Sequence, residues 1–192
     1  MYFYSDEVIS ICGIDPGTSS LGFSHGMLDT QTGHLEIVSA YTIDGDTLVN
    51  GKDRLTLNLK HGKRQARMYC IADKLAEEFC TAQPDICIIE DFFSARNIKT
   101  YGTLMATQQM VMMSLHFTCP LSYVRVIKPG IGKNSFGVKG NSGDKQEMVD
   151  AVPTLTNTTF PDGFLDEVKP DTADAIAQMY AFVVDYRRKH NL

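Results

Sequence analysis

Ile9-Ser10-Ile11-Cys12-Gly13-Ile14-Asp15-Pro16-Gly17-Thr18-Ser19-Ser20-Leu21-Gly22-Phe23 is the stretch on which the reading of this chain turns. A β-rich apolar run ends in a single carboxylate, and Pro16-Gly17 blocks continuation of a regular strand, so Asp15 is expected at a strand end beside a turn. Two readings fit Asp15 taken alone. It is either an Asp that hydrogen-bonds its own turn, or the first member of an acidic, metal-binding site whose partners lie farther along the chain.

On either side of this turn, Val8 to Ile14, Leu21 to Leu28 and Leu35 to Ile43 read as three β-rich segments of an antiparallel meander. The pattern then becomes helical from about Asp53 to Cys80, where Met68, Ala72, Leu75, Ala76 and Phe79 define a buried stripe before Pro84. Ile86-Cys87-Ile88-Ile89-Glu90 is a short continuous apolar run, the pattern of a central strand covered on both faces, and it sets a second acid at a strand end. Tyr101 to Phe117 is helical and methionine-rich (Met105, Met110, Met112, Met113), which suits either core packing or a subunit interface. A fifth strand is predicted at Leu121 to Ile127. Lys128 to Gly143, with Pro129 and five glycines, reads as a loop. Asp144-Lys145-Gln146-Glu147 has the pattern of a helix capping box, and a last helix runs from Pro170-Asp171 to Arg187-Arg188-Lys189. This order predicts an α/β fold with a mixed sheet, a three-strand antiparallel meander plus parallel strands, flanked by helices.

The 192 residues, 43% hydrophobic and 21% charged, suit one domain spanning 1–192. No apolar run approaches the roughly 20 residues that cross a bilayer, and no signal-like segment opens the chain, so the expectation is a cytoplasmic protein without membrane association. Five cysteines (Cys12, Cys70, Cys80, Cys87, Cys119) form no Cys-x-x-Cys pair, which argues for reduced, buried thiols over zinc or disulfides. A net charge of −5 argues against polyanion binding by the whole surface and leaves room for a local basic face.

Asp171-Thr172-Ala173-Asp174 places two carboxylates three residues apart on one face of a first helical turn. Either would serve alone as a cap. With Asp15 and Glu90 at strand ends, the four can converge over one sheet edge, and four clustered acids need cations. Oxygen-only ligands suit Mg²⁺ or Mn²⁺, and a pair of such ions supports phosphodiester hydrolysis.

These residues carry a specific resemblance. Gly13-Ile14-Asp15-Pro16-Gly17-Thr18 resembles the first motif of the RuvC family of Holliday junction resolvases, Ile88-Ile89-Glu90 its second, and Asp171-Thr172-Ala173-Asp174-Ala175 its C-terminal acidic motif. The resemblance spans nearly the whole chain, including Phe93-Ser94-Ala95-Arg96-Asn97 and the Lys-containing, Gly-rich stretch before Asp144-Lys145. It implies a ribonuclease H-like fold, with Asp15, Glu90, Asp171 and Asp174 as catalytic carboxylates for two Mg²⁺ ions, with Mn²⁺ able to substitute. Phe93 would match an aromatic that enters the junction near its crossover. Lys133 and Lys145 would take the family's positions for phosphate contact or transition-state support. The implied protein is a homodimer that nicks opposing strands of four-way or branched DNA, in a bacterial cell or a phage-infected host.

Lys128, Lys133, Lys139 and Lys145 surround the Gly-rich stretch, where they either approach DNA phosphates or belong to a solvated loop. Lys60, Lys63, Arg64 and Arg67 recur at helical spacing, as a track for a DNA arm or as a solvated helix face. Phe93 is either a base-stacking aromatic or a core residue. Asp91 is excluded from the site because successive strand residues face opposite ways. Two rival functions remain: a junction-binding protein without activity, and an actin-like or sugar-kinase-type ATPase fragment, whose folds open with a similar Asp-containing turn.

Overall fold

The computed structural model describes residues 7–50, 55–91, 98–138 and 145–192. The meander forms as β1 (Val8–Asp15), β2 (Ser20–Asp29) and β3 (Leu35–Asp44), paired antiparallel, with a bulge in β2 between His25 and Gly26. β4 (Ile86–Glu90) pairs parallel with β1, and β5 (Tyr123–Ile127) pairs parallel with β4. A two-residue β6 (Thr158–Thr159), too short to leave a sequence pattern, pairs parallel with β3. The six-stranded sheet runs β5-β4-β1-β2-β3-β6 and mixes the two pairings as expected.

Seven α-helices are described: α1 (Gly45–Val49), α2 (Leu55–His61), α3 (Lys63–Ala82), α4 (Ile98–Thr118), α5 (Pro129–Ser135), α6 (Lys145–Ala151) and α7 (Pro170–His190). Three differ from the sequence reading. The single helix expected from about Asp53 divides at Gly62, whose φ of +78° is open to glycine and breaks the helical path. The unanticipated α1 is started by the Asp44 carboxylate, which accepts from the backbone N–H of Asp46 and Thr47 at 2.8 and 3.1 Å. The supposed loop after Lys128 contains α5, which opens on Pro129 and is anchored by Phe136, buried edge-on against Tyr180 at 5.9 Å. Cys12, Cys70, Cys87 and Cys119 are buried free thiols, whereas Cys80 is exposed on α3.

Alternation along the central strands divides the core in two. Ile9, Ile11, Ile86 and Ile88 pack against α7 through Ala173, Ile176, Ala177 and Met179. Cys12, Ile14, Cys87 and Ile89 face Ile71, Leu75 and Phe79 of α3 and Val111 and Leu115 of α4. Each fully buried Ile, Leu or Phe contributes about 1.5–3 kcal/mol. Among the described residues, no helix is long and apolar enough to cross a membrane.

α7 rides directly on strand backbone. A Cβ on Gly22 would overlap the Asp171 carbonyl oxygen, and one on Gly13 would overlap that of Ala175. The Ser24 hydroxyl donates to the Ala175 carbonyl at 3.0 Å, and Thr42 and Thr172 share a 3.0 Å hydroxyl hydrogen bond. These small residues bring the first turns of α7 over the ends of β1 and β2.

Candidate active site

The alternation that sorts the core also aims the first two acids. Asp15 continues the series Ile9, Ile11, Gly13, and Glu90 continues Ile86, Ile88, so both side chains emerge on the α7 face. β1 and β4 are adjacent and parallel, with Ile14 opposite Ile89, so the two carboxyls stand side by side and hydrogen-bond each other. Asp171 and Asp174, in the first turns of α7, act electrostatically on this pair. The structure thus brings all four predicted acids together.

Their protonation follows from crowding. Burial raises Asp15 well above the usual carboxylate range, helped by its hydrogen bond to Glu90 and the charges of Glu90 and Asp171, against a smaller pull from Lys145. Burial also raises Glu90, aided by Asp174, while hydrogen bonds from Asp15 and Gln178 and the Lys133 charge work the other way. Asp174 is pushed up to about 6 by burial and by Asp15, with Lys133 and Lys145 opposing. Asp171 differs in its partners: the Ser20 hydroxyl donates to Oδ2 at 2.6 Å, and Lys145 Nζ lies 3.5 Å from Oδ1.

Lys133 sits in α5 and Lys145 opens α6, and both exert their charge on the acids. Lys145 is 70% exposed, which leaves it accessible to a phosphate. Arg64 is not part of this cluster. It is exposed at the start of α3, on the opposite face of the sheet from α7. In the same basic stripe, Lys63 and Arg67 pair with Asp46 at 2.9 and 3.0 Å, so two of its four cations are engaged within the chain. Asp91 lies half-buried past the end of β4, where its N–H donates to the Ile127 carbonyl at 2.6 Å. Phe93 and Lys139 lie outside the described residues.

Two contributors were missed in the sequence. Ser20 was read as part of a turn, and Gln178 as an unremarked position in the last helix. The available signal for Gln178 was its spacing, four residues after Asp174 on the same helical face.

Among the described residues, no three acidic, imidazole or thiol groups are gathered tightly enough to grip an ion as they stand. The acids instead satisfy one another, Ser20 and Lys145. Their donor chemistry nevertheless fits a hard divalent cation: every donor is a carboxylate oxygen, and three of the four carboxyls have raised proton affinity.

A mixed sheet of this order, with carboxylates at the ends of two adjacent parallel strands and on the helix crossing them, defines a ribonuclease H-like fold carrying an acidic cluster. Known proteins narrow the comparison: the chain is similar over most of its length to curated RuvC crossover junction endodeoxyribonucleases, and its fold is similar to that of solved Holliday junction resolvases. It is 27% identical over 189 residues to the crossover junction endodeoxyribonuclease RuvC of Thermosipho melanesiensis, covering 93% of this chain and 99% of that protein. The Sorangium cellulosum RuvC is 26% identical over 168 residues, 87% of this chain and 80% of its own length. No family model matches the chain. Among solved structures, Thermus thermophilus RuvC in complex with Holliday junction substrate superposes with a TM-score of 0.64 at 14% identity, over 95% of this chain and 96% of that one. The yeast mitochondrial Holliday junction resolvase gives 0.61 at 15% identity, over 94% and 81%.

Proposed function

We propose that this protein is a metal-dependent, structure-selective endonuclease that resolves four-way or otherwise branched DNA by paired nicking. The observation that carries the reading is the convergence of Asp15, Glu90, Asp171 and Asp174 on one sheet edge with Lys133 and Lys145 beside them. A non-catalytic junction binder would have no need of four mutually repelling acids. A fragment of a larger ATPase is disfavoured because the match extends over nearly all of the Thermosipho relative.

Asp15, Glu90, Asp171 and Asp174 would hold two Mg²⁺ ions, with Mn²⁺ able to substitute. When bound, such ions supply Lewis-acid activation of water and neutralise charge at the leaving oxygen. The chain's own groups do the rest. Asp15 and Glu90 fix one side of the site through the strand ladder, and α7 sets the other side. Lys145 and Lys133 offset the negative charge that an incoming phosphodiester adds. Phe93, Lys139 and Arg64 remain proposed DNA contacts.

Paired nicking needs two sites, and α4 offers the surface for a homodimer. Val111, Ser114 and Leu115 are buried toward the core, while Tyr101, Met105, Met113 and Phe117 are exposed at four-residue steps or multiples of four. Met112 packs inward, so the informative substitutions are Met105→Asp and Met113→Asp. These should convert a dimer to monomer by solution mass; an unchanged dimer would place the interface elsewhere.

The function is tested by titrating Mg²⁺ into purified protein with a labelled synthetic four-way junction. Symmetric, metal-dependent nicks are expected. Tight junction binding without nicking at any Mg²⁺ or Mn²⁺ concentration would leave only a binding role.

A further inference from the structure

β2 turns three small residues toward α7 in alternation, and the first of them reaches a carboxylate. Gly22 leaves room for the Asp171 carbonyl oxygen, and the Ser24 hydroxyl donates to the Ala175 carbonyl at 3.0 Å. Two residues before Gly22, on the same face, the Ser20 hydroxyl donates to Asp171 Oδ2 at 2.6 Å. That length belongs to a charge-assisted bond, the stronger kind. The Ser20 backbone is itself held at three points. It pairs with Asp44 across the β2–β3 ladder, and the neighbouring Ser19 carbonyl accepts from the Gly45 N–H at 2.8 Å. The turn before it is so tight that a Cβ on Gly17 would overlap the Ser20 carbonyl oxygen. One staggered torsion separates this backbone from the hydroxyl, so Asp171 Oδ2 is tied closely to the strand framework.

The other oxygen of Asp171 is held differently. Oδ1 lies 3.5 Å from Nζ of Lys145, whose side chain is 70% exposed. A long contact to an exposed lysine contributes little and exchanges readily. Asp171 thus has one oxygen tied to β2 and one turned to a positive charge that another cation can displace. The seating of α7 does not require the tie, because Gly13, Gly22, Ser24 and the Thr42–Thr172 pair already fix its first turns. A carboxylate in a first helical turn is commonly directed at the free N–H groups of its own helix. Here it is directed across to β2 instead.

We propose that Ser20 is a positioning residue: by holding Oδ2 of Asp171 it presents Oδ1 to a divalent cation, at the place now taken by the Lys145 ammonium. This rests on the nuclease reading above. Without the hydroxyl, two side-chain torsions of Asp171 are released, and repulsion from Asp15 and Asp174 favours turning the carboxylate out of the cluster. A cation would then have to restore the orientation as it binds, which lowers its affinity.

The test compares full-length Ser20→Ala with the conservative Ser20→Thr, which keeps a hydroxyl. Ser20→Ala is expected to keep the wild-type circular dichroism spectrum and the metal-free Kd for a four-way junction. It should need about tenfold more Mg²⁺ for half-maximal thermal stabilisation, a readout independent of activity. Single-turnover nicking at limiting Mg²⁺ should fall roughly ten- to a hundredfold, and saturating Mg²⁺ should recover most of that loss. Ser20→Thr should restore the Mg²⁺ midpoint to within a few-fold of wild type. In an Asp171→Ala background, Ser20→Ala should add nothing, because the hydroxyl acts through that carboxylate. A Ser20→Ala protein with lowered metal-free Tm and an unmoved Mg²⁺ midpoint would reduce Ser20 to a packing contact and overturn the proposal. So would a shift of the midpoint that persists when Asp171 is already alanine. If Ser20→Ala does not fold, Ser20→Cys, nearly isosteric with a weaker donor, decides by the same readouts. If wild-type protein is stabilised by Mg²⁺ but does not nick, the nuclease reading falls and the midpoint still decides the role of Ser20. A wild-type protein that Mg²⁺ does not stabilise would overturn both.

Discussion

Asp15 and Glu90 reach the site by a different route from Asp171 and Asp174. The first pair ends two adjacent parallel strands, so ladder hydrogen bonds fix their backbones and alternation fixes their direction. The second pair sits on a helix whose position depends on close packing over Gly13, Gly22 and Ser24. The environments differ too. Burial raises Asp15 and Glu90 as they share a hydrogen bond, whereas Asp171 takes one from Ser20 and faces Lys145. One side of the site is set by the strand ladder; the other is delivered by packing, where Asp171 has Ser20 and Lys145 as partners while Asp174 shares the crowding of the strand acids. Fold and function therefore meet in different residues on the two sides.

The strongest way to break this contrast is to neutralise one acid of each kind. Asp15→Asn should leave folding and junction affinity intact and cut the single-turnover nicking rate about a thousandfold or more, since several kcal/mol of charge stabilisation are removed. Asp171→Asn should lose less, roughly ten- to a hundredfold, because its hydrogen bond from Ser20 can persist to the amide oxygen. Equal losses in the two variants would show that the route of delivery has no bearing on catalysis.

The packing side is probed without touching an acid. Gly22→Ala and Gly13→Ala each force a methyl group into a carbonyl oxygen of α7, so each should destabilise the fold by about 1–3 kcal/mol or more. At this chain length that lowers Tm by several degrees, about 2–4 °C per kcal/mol. Nicking should drop further than the remaining folded fraction explains, because Asp171 and Asp174 move with the helix. Gly102→Ala is the control. A Cβ there meets nothing within 4 Å, and a helical glycine replaced by alanine should gain up to about 1 kcal/mol. An equal loss at Gly102 would separate the destabilisation from the α7 contact.

The same division decides what could be read in the sequence. Asp15 and Glu90 were legible because a strand end has a local signature, an apolar run stopped by a turn or a carboxylate. The sheet and its long helices followed from the same period of two and of three to four residues. Asp171 and Asp174 were legible as a pair on one helical face, but their docking was not. It resides in Gly13 and Gly22, whose role appears only when α7 lies across them. α5 was hidden because its glycines read as loop, although Gly132 is needed for approach to Gln178 and Pro129 opens a helix. The basic stripe that includes Arg64 was legible as a shared helical face, but its side of the sheet was not, because helical spacing carries no information on which side of the sheet that face lies.

The smallest predicted effect is on stability. A carboxyl whose pKa is higher in the folded chain than in the unfolded one holds its proton more tightly when folded. Its stabilising contribution is complete below the unfolded value and is lost as pH rises through the folded value. For Asp174 the window runs from the ordinary 3.8 to about 6, and Asp15 and Glu90 shift in the same direction. Without divalent cations the protein should therefore lose stability between about pH 4 and neutrality. Asp174 accounts for about 1–2 kcal/mol of this once solvent screening of a partly exposed group is allowed for. Asp174→Asn should flatten that slope and raise the metal-free Tm at pH 8 by a few degrees. Mg²⁺ should raise wild-type Tm more at pH 8 than at pH 5, because at the lower pH protons already neutralise the cluster. A metal-free Tm that rises steadily from pH 4 to 8 would mean that the acids of strand and helix are not crowded in solution, and with it would fall the reading that α7 packs Asp174 against the strand-end pair.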